Sequence, residues 1–486
     1  MLSITLSIDS FAYDLEERVE TYVLKNGLKV LVVERHAIPT VSLYISHKAG
    51  GVDDISGQTG TAHFLEHLMF KGTPTIGSKD FTREKKVLSR IYETGTALDD
   101  ELKKGDSADG TKIDRLRQTL ESLQDEGRKL IIPSEIDRIY TLNGGVDLNA
   151  STGYDLTTYH VSLPSNKTEL WARIESERLA SPVFREFFTE RNVIMEERKQ
   201  TIESDPGRKL VEQFLATAYM VHPYRRPVIG WPADMKRLAF DNAESFFTTY
   251  YAPNNTVITA VGDVSPDDFF TLVENYFGHL EPRPLPVRAI PEEPVQMGER
   301  TIVLNDDAAP QLVIGFHKPT LPSRDDYIFD VIDVLLSEGR TSRLYHELVE
   351  GKKMAESITT ANGLPGARYP NLFVIFAEPR QPFGNRELKD AIYSELERLS
   401  HEPVGDRELE KAKNRLKADF LRRLSSNGGL AAMLSYFETV ANDYRYITKH
   451  SDMIDTITAE DIMHAAAKYF TAENRTVAEL LRPEGG

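Results

Sequence analysis

The chain has 486 residues, of which 40% are hydrophobic and 27% charged, a composition typical of a globular protein. Its 58 basic and 75 acidic residues give a net charge of −17, which argues against a nucleic-acid-binding protein. The absence of cysteine excludes disulfides, cysteine-ligated iron–sulfur clusters and thiolate metal sites. Any bound metal must therefore be held by histidine and carboxylate side chains.

The sequence contains no apolar run of about 18 residues or more, so we expect no transmembrane helix. The N-terminal stretch MLSITLSIDSFAYDLEERVE lacks a basic region ahead of its weak apolar patch, so it does not resemble an intact secretory signal. The compartment is left unknown: periplasmic if a signal peptide has been omitted, and otherwise cytoplasmic.

The first predicted elements are strands. Residues 20–34 predict a β-hairpin, because Asn26-Gly27 separates two apolar runs and favours a type I′ turn. Residues 41–47 predict a third strand, and the Gly- and Asp-rich segment 48–60 leads into a helix. This order, antiparallel sheet followed by helix, is typical of an α+β fold.

The segment GTAHFLEHLMFKGT, residues 60–73, contains His63, Glu66 and His67 in an H-x-x-E-H pattern with apolar flanks. Helix positions i and i+4 share a face, so the two histidines can direct a ring nitrogen at one point. Two imidazoles one turn apart form half of a zinc site, and Glu66 is the candidate base. A single histidine on such a helix is more often structural, but burying all three residues without a bound metal would be costly.

Several elements follow the H-x-x-E-H segment. Residues 80–129 predict a helical hairpin that is interrupted at 105–110. Residues 144–163 predict strand, and residues 166–179 predict a helix. Residues 189–203 predict an acid-rich helix on which Glu190 and Glu197, two turns apart, share a face. Val193 and Ile194, between them, are predicted to face the core.

The remaining chain predicts a second half that repeats the first. A helix at 239–251 and a strand at 256–264 precede residues 281–297, which carry five prolines and are predicted to be a linker. Beyond the linker the predicted strands are 301–304, 311–316, 370–377 and 475–481, and the predicted helices are 325–337, 340–350, 390–399, 408–423 and 459–469. We expect two homologous halves, each an antiparallel β-sheet packed with helices. The expected domains are 18–280, with a helical-hairpin insertion at about 80–130, and 298–486, an inactive copy without H-x-x-E-H.

The motifs together resemble the insulinase/pitrilysin family of inverted-zincin metallopeptidases, and most closely its two-domain bacterial members similar to the mitochondrial processing peptidase. The resemblance covers most of the chain. It rests on the H-x-x-E-H segment, on Asn149-Ala150 with Thr152, on the segment ERNVIMEE at 190–197, and on HPYRRPVIGW at 222–231.

The resemblance implies one Zn²⁺ per chain, bound by His63, His67 and Glu197, with Glu66 as the catalytic general base. Glu190 would support the ligands without touching the metal. Asn149 and Ala150 would bind substrate at a sheet edge to which a peptide adds as a strand. Two other acids are alternative third ligands. Glu196 lies about 100° round the helix from Glu197, and Glu203 has no partner at the family spacing.

The sequence departs from the family pattern at two points. Glu197 follows His67 by about 130 residues, an excess that the hairpin at 80–130 explains, because the cost of a longer loop grows slowly. The Arg and Tyr that contact substrate in the family are replaced by Val349 and Glu356. The nearby Arg343 and Tyr345 are interpreted as helix-packing and capping residues. We therefore expect a homodimer, or a heterodimer with a related chain that supplies Arg and Tyr.

The expected function is that of a zinc-dependent endopeptidase acting on peptides or small unfolded proteins, as the zinc-bearing subunit of a composite site. The alternative is a non-catalytic structural or assembly subunit of the same fold. A metal-dependent hydrolase of non-peptide substrates is a further possibility, although no motif indicates phosphate or sugar binding.

Overall fold

The computed structural model describes residues 15–288 and 290–483; the weak N-terminal apolar patch lies largely outside them. The chain divides into two compact units. One unit comprises Val19–Arg198 and Pro227–Val287. The other comprises Lys199–Arg226, the described residues from Arg288 onward and the few residues before Val19. The predicted domain limits, 18–280 and 298–486, stay a prediction.

The strands and helices are numbered in chain order. The strands are β1 (Val19–Val23), β2 (Lys29–Glu34), β3 (Thr40–His47), β4 (Val146–Thr152), β5 (Thr157–Pro164), β6 (Thr256–Gly262), β7 (Arg300–Asn305), β8 (Gln311–Lys318), β9 (Ala355–Leu364), β10 (Asn371–Pro379) and β11 (Arg475–Leu481). The helices are α1 (Thr61–Met69), α2 (Phe81–Leu102), α3 (Gly110–Leu130), α4 (Glu135–Leu142), α5 (Thr168–Ala180), α6 (Phe187–Arg198), α7 (Pro206–Ala218), α8 (Pro232–Met235), α9 (Phe240–Tyr250), α10 (Pro266–Phe277), α11 (Arg324–Ser337), α12 (Asn385–His401), α13 (Asp406–Leu424), α14 (Asn427–Ala441), α15 (Tyr446–Asp455) and α16 (Ala459–Tyr469).

The sheet of the first unit has the order β1-β2-β6-β3-β5-β4. All neighbouring strands are antiparallel except β2 and β6, which run parallel. Strand β6 is buried along its whole length, as expected for an apolar strand at the centre of a sheet. Strand β4 lies at one edge, next to the helix that carries the H-x-x-E-H segment.

The sheet of the second unit has the order β7-β11-β8-β10-β9. This order and its strand directions match β2-β6-β3-β5-β4, including a parallel pair between β7 and β11. Helix α11 follows β8 as α1 follows β3. The predicted fold of two homologous halves is therefore confirmed, although each sheet includes one parallel pair because the first and last strands of each repeat lie side by side.

Most predicted elements are present, with corrections in detail. The hairpin β1–β2 forms, but its turn is not type I′, because Gly27 has a positive φ of 85° while Asn26 does not. The helix predicted at 189–203 ends at Arg198 and continues as a π-helical turn, Lys199–Glu203. The helix predicted at 340–350 begins only at residue 343, and after two α-helical residues it continues as a π-helical turn, Tyr345–Gly351.

The predicted burial of Val193 is wrong. Its side chain is 46% exposed, whereas Ile194 is fully buried. Consecutive residues on an α-helix point about 100° apart, and the buried side of α6 at this point contains Glu190 and Ile194, whereas Val193 lies on the solvent side.

Helices α2 and α3 form the predicted hairpin. Each begins with an aspartate whose side chain accepts a backbone hydrogen bond, Asp80 from Arg83 and Asp109 from Lys112. Across residues 15–288 and 290–483, every helix is too short or too polar to cross a membrane.

Candidate metal site

Helix α1 carries the H-x-x-E-H residues, and its N-terminus is fixed by Gly60 and by the carboxylate of Asp54. Gly60 has φ +90°, and a Cβ atom there would lie 2.7 Å from the carbonyl oxygen of Ile229, so the position requires glycine. Asp54 accepts hydrogen bonds from the backbone N–H groups of Gly60 at 2.7 Å and Ala62 at 3.0 Å. This carboxylate satisfies otherwise unpaired donors at the positive end of the helix dipole.

The C-terminal end of α1 is held by a buried arginine. Arg178, 2% exposed, donates from Nε to the carbonyl oxygen of Met69 at 3.0 Å. Its guanidinium is paired with Glu175 at 2.6 Å, and Glu175 also accepts a hydrogen bond of 2.7 Å from the Tyr140 hydroxyl. The orientation of the helix, and so of its histidines, is determined at both ends.

Three predicted ligands converge within this unit. Nε2 of His63 lies 3.7 Å from Oε1 of Glu197, and Nε2 of His67 lies 3.5 Å from Oε2 of the same carboxylate. One ligand atom from each residue falls within 4.8 Å of the other two. Two ligand atoms at 2.0–2.1 Å from a tetrahedral zinc lie about 3.4 Å apart, so this donor set fits a zinc ion.

The second ring nitrogen of His67 contacts a different carboxylate. Nδ1 of His67 lies 3.1 Å from Oε1 of Glu190, and Oε2 of Glu190 lies 2.5 Å from Nζ of Lys71. Burial alone would lower the pKa of His67, but the hydrogen bond and charge of Glu190 raise it above its ordinary value. The pKa of Glu190 is lowered despite burial, because His67 and Lys71 both donate to it. Glu190 thus fixes the His67 ring with Nε2 directed at Glu197.

His63 is held in its neutral form. Burial lowers its pKa to about 4, with a further contribution from the neighbouring His67. Its Nδ1 atom is buried and has no hydrogen-bond partner within the described residues. A neutral imidazole is the form that binds a metal ion.

Glu66 lies on the same helix but contacts the edge strand. It accepts a hydrogen bond of 2.5 Å from the Thr152 hydroxyl on β4. Burial raises the pKa of the Glu66 carboxyl above its ordinary value, and the bond from Thr152 partly offsets this rise. A half-buried carboxylate with an elevated pKa, beside a metal-ligand cluster, is suited to accept and return a proton.

The alternative third ligands differ from Glu197 in placement. Within the described residues, the ligand cluster includes Glu197 and not Glu196 or Glu203. Glu196 is exposed on α6, and Glu203 lies in the π-helical turn after it.

The two predicted substrate-binding residues lie on the edge strand. Asn149 is exposed and Ala150 half-buried on β4, which pairs with β5 along one side only. The side-chain oxygen of Asn149 accepts a hydrogen bond of 2.9 Å from the Ala150 N–H. No described strand pairs with the other side of β4, which can therefore pair with an extended chain.

A cavity of about 320 Å³ opens beside Glu66 and His67. Its apolar lining includes Phe70, Ile76 and Ile136. Neither this cavity nor the role of Lys71 is predicted from the sequence, although Lys71 stands four residues after His67, a spacing that indicates neighbours on one helix face.

The positions that depart from the family pattern have structural roles within the second unit. Val349 is buried, and Glu356 forms two ion-pair contacts of 2.9 Å with Arg380. Arg343 contacts Glu408 through two hydrogen bonds of 2.8 and 2.9 Å, in agreement with its interpretation as a packing residue.

Comparison with known protein families gives two matches. Residues 29–93 match the model described as Insulinase (Peptidase family M16), and residues 237–416 match the Peptidase M16 inactive domain. The first match includes the H-x-x-E-H segment.

Individual proteins are similar over nearly the whole chain. The zinc protease PqqE of Helicobacter pylori is 27% identical, covering 99% of this chain and 97% of its own. A probable mitochondrial-processing peptidase subunit beta of Arabidopsis thaliana is 23% identical, covering 96% of this chain and 78% of its own. The crystal structure of a protease from Helicobacter pylori superposes with a TM-score of 0.78 at 26% identity, covering 95% of this chain and 99% of that one.

Proposed function

Because the chain belongs to the insulinase family, peptidase family M16, we propose that it is a zinc-dependent endopeptidase that cleaves peptides or small unfolded proteins. His63, His67 and Glu197 would hold one zinc ion per chain. The observation that carries this proposal is the convergence of these three ligand atoms within 4.8 Å of one another, beside the Glu66 carboxylate.

A zinc ion at this site would polarise the scissile carbonyl and lower the pKa of an attacking water. The chain's own residues supply the remaining steps. Glu66 takes the water proton and returns it to the leaving amine, because its raised pKa suits it to both transfers. Thr152 orients the Glu66 carboxylate, and Glu190 orients the His67 ring.

Substrate would bind as an added strand along β4, with Asn149 and Ala150 at its edge. The cavity beside Glu66 and His67 has room for a side chain of such a peptide. This arrangement suits an extended peptide or an unfolded segment, because only an extended backbone pairs with a strand edge.

The active site would be composite. In place of the family's Arg and Tyr stand the buried Val349 and the ion-paired Glu356. A single donor to a developing oxyanion is worth about 3–4 kcal/mol, so a site without both groups would be slow. We propose a heterodimer in which a related chain supplies Arg and Tyr, in preference to a homodimer that uses other donors.

The test of the zinc peptidase combines elemental analysis with cleavage of a quenched peptide. We expect about one zinc per chain. Glu66→Gln should retain zinc but lose activity by a factor of about 10² or more, whereas Glu197→Gln should lose zinc. Glu196→Gln, on the adjacent exposed position, is the matched control and should change neither.

Three outcomes would overturn parts of the proposal. Full zinc content in Glu197→Gln would remove that residue from the ligand set. Peptide cleavage by the Glu66→Gln variant at the wild-type rate would show that Glu66 is not the base. A chain that cleaves no peptide, alone or with any related protein, would favour the structural or assembly subunit.

The composite site is tested by adding the product of a neighbouring related gene. We expect the second protein to bind the chain and to increase peptide cleavage strongly. Full turnover by the lone chain, with neither binding nor stimulation by the second protein, would contradict the heterodimer.

A further inference from the structure

The second unit contains a cavity of its own, of about 320 Å³. Helix α11, strand β9 and helices α13 to α15 surround it. Helix α11 and strand β9 are the counterparts of α1 and β4 in the repeat, so the inactive half retains a cavity at elements equivalent to those of the metal site. Unlike that site, its lining includes no cluster of metal-ligand atoms among the described residues.

The lining of this cavity is strongly acidic. Five carboxylates line it, whereas only two basic side chains do, those of Arg423 and His450. The acids are Asp326, Asp330, Asp333, Glu338 and Asp419. Three of the acids already have a lysine or arginine nearby: Asp326 is paired with Lys318, and Arg415 contacts Glu338 at 3.6 Å and Asp419 at 2.8 Å.

The two remaining acids lie one turn apart on α11. Asp330 accepts hydrogen bonds from Asn362 at 2.7 Å and His450 at 3.1 Å. Asp333 accepts a bond of 2.5 Å from the Thr360 hydroxyl and forms no ion pair within the described part of the chain. Burial raises the pKa of the Asp333 carboxyl to about 6, as expected for a carboxylate without a counter-charge.

Buried polar atoms in the lining also lack partners. Asn371 is completely buried, and its Oδ1 atom has no hydrogen-bond partner among the described residues. The same holds for Oδ1 of Asn362 and Nδ1 of His450. The two amide oxygens are acceptors, and buried acceptors of this kind are normally satisfied by a donor.

Aromatic rings complete the wall. Phe420 stacks on His450 with ring centroids 4.9 Å apart and an interplanar angle of 13°. Tyr327, Phe437 and Tyr446 also line the cavity. Aromatic faces attract cations, and they also pack against an aliphatic stem.

We propose that this cavity binds an organic cation with several N–H donors on an aliphatic stem, of which the guanidinium side chain of arginine is the model. Its positive charge and its N–H groups complement the carboxylates of Asp330 and Asp333, and its stem packs against the aromatic wall. The ligand is either an arginine side chain of a peptide or a small free guanidine. The site is separate from the zinc peptidase activity and does not depend on it.

The test is calorimetric titration of the full chain at low ionic strength with Nα-acetyl-arginine amide and with agmatine. We expect saturable binding with Kd of about 1 mM or below. Nα-acetyl-citrulline amide, which has the same shape without the charge, should bind at least about tenfold more weakly. Binding of the blocked arginine indicates a peptide side chain as the ligand, whereas binding of agmatine alone indicates a free guanidine.

Two isosteric variants assign the binding to this cavity. Asp333→Asn and Asp330→Asn should each weaken binding by about tenfold. Asp452→Asn, an exposed acid on α15 outside the cavity, removes the same charge and should leave binding unchanged. Thermal unfolding of each variant checks that it is folded, and a folded variant should no longer be stabilised by the cation.

The proposal is overturned by any of three results. These are no binding of either cation up to about 10 mM, equal binding of the citrulline amide, or undiminished binding by both folded cavity variants. Because the assay measures binding and not cleavage, its failure is distinguishable from failure of the peptidase proposal.

Discussion

Thr152 donates a hydrogen bond of 2.5 Å from its hydroxyl to the Oε2 atom of Glu66, and this contact joins the edge strand to the metal-site helix across 86 residues of sequence. This hydrogen bond is made to Glu66, the residue that we propose as the general base. Burial raises the pKa of Glu66, and the Thr152 donor restrains both that rise and the rotation of the carboxylate. Thr152 is therefore a positioning residue, acting through Glu66.

Replacing Thr152 by valine should lower kcat/KM for a peptide by about 10- to 100-fold, because a hydrogen bond to a charged group is lost while the shape is kept. Zinc content should not change. Thr152→Ser should restore most of the activity, and Ser151→Ala, exposed on the same strand, should have no effect. Loss of zinc in Thr152→Val, or failure of serine to restore activity, would contradict the assignment.

Replacing Glu190 by glutamine should weaken zinc binding by about 10- to 100-fold, as expected when a partner that orients a metal-binding histidine is altered. The measurement is a competition titration against a zinc chelator. Glu186→Gln is the matched control, since Glu186 contacts Lys71 at 3.3 Å, the same lysine that Glu190 contacts. Equal weakening in both variants would show that the effect passes through Lys71 and not through the His67 ring.

Helix geometry predicts which residues of the candidate site share a face, whereas the choice of Glu197 as the third ligand comes from the resemblance to the family. His63 and His67 are one turn apart, and Glu190 and Glu197 are two turns apart, so each pair shares a face before any tertiary structure is known. The burial of Val193 was mispredicted because the direction in which α6 faces the core depends on its neighbours and not on its own sequence.

The buried arginines that hold the segments around the site, Arg178 and Arg185, could not be predicted in the same way. Arginine side chains are mostly exposed in proteins, so the sequence predicts a solvated position for Arg178 and Arg185, yet both are almost completely buried. Some of their partners lie more than 100 residues away, as Met69 does from Arg178 and Glu84 from Arg185. Such pairings are decided by the tertiary fold, and no local spacing records them.

His47 should make the stability of the folded chain sensitive to acid. It is 1% exposed and stacks on Tyr251 with ring centroids 4.0 Å apart. Its Nδ1 atom is hydrogen-bonded to the Thr256 hydroxyl at 2.9 Å. Burial, followed by the charge of Arg178, lowers its pKa to about 3 from an ordinary value of 6.5. At a pH between about 3 and 6.5, His47 is therefore protonated in the unfolded chain but not in the folded chain.

The contribution of His47 to stability is complete above its ordinary pKa and is lost as the pH falls toward about 3. Between pH 7 and pH 5, about 2 kcal/mol of unfolding free energy should be lost through this residue. His47→Phe keeps the ring but cannot titrate, so its loss over that range should be smaller by this amount. The measurement is denaturant unfolding of the metal-free chain, with the exposed His464→Gln as control. An unchanged pH dependence in His47→Phe would rule out this role.

A buried ion pair connects the helical hairpin α2–α3 to the residues around the turn that follows the metal-site helix. Arg185 and Glu84 are both completely buried, and the guanidinium contacts the carboxylate at 2.6 Å. The same guanidinium donates to the backbone carbonyl groups of Lys71, Thr73 and Ile76 at 2.8, 2.7 and 3.1 Å. One side chain thus orders the whole turn that follows α1.

Glu84→Gln keeps the shape of the side chain but leaves the Arg185 charge without a counter-ion, so it should lower the free energy of unfolding by about 3–5 kcal/mol. Arg83→Gln is the neighbouring control, because it breaks only the solvent-exposed contact with Glu126 at 3.6 Å, and it should cost about 1 kcal/mol or less. Both values come from denaturant unfolding of the metal-free chain. If the two variants unfold with the same free energy, the buried pair does not stabilise this region, and the backbone carbonyl groups alone must account for the burial of Arg185.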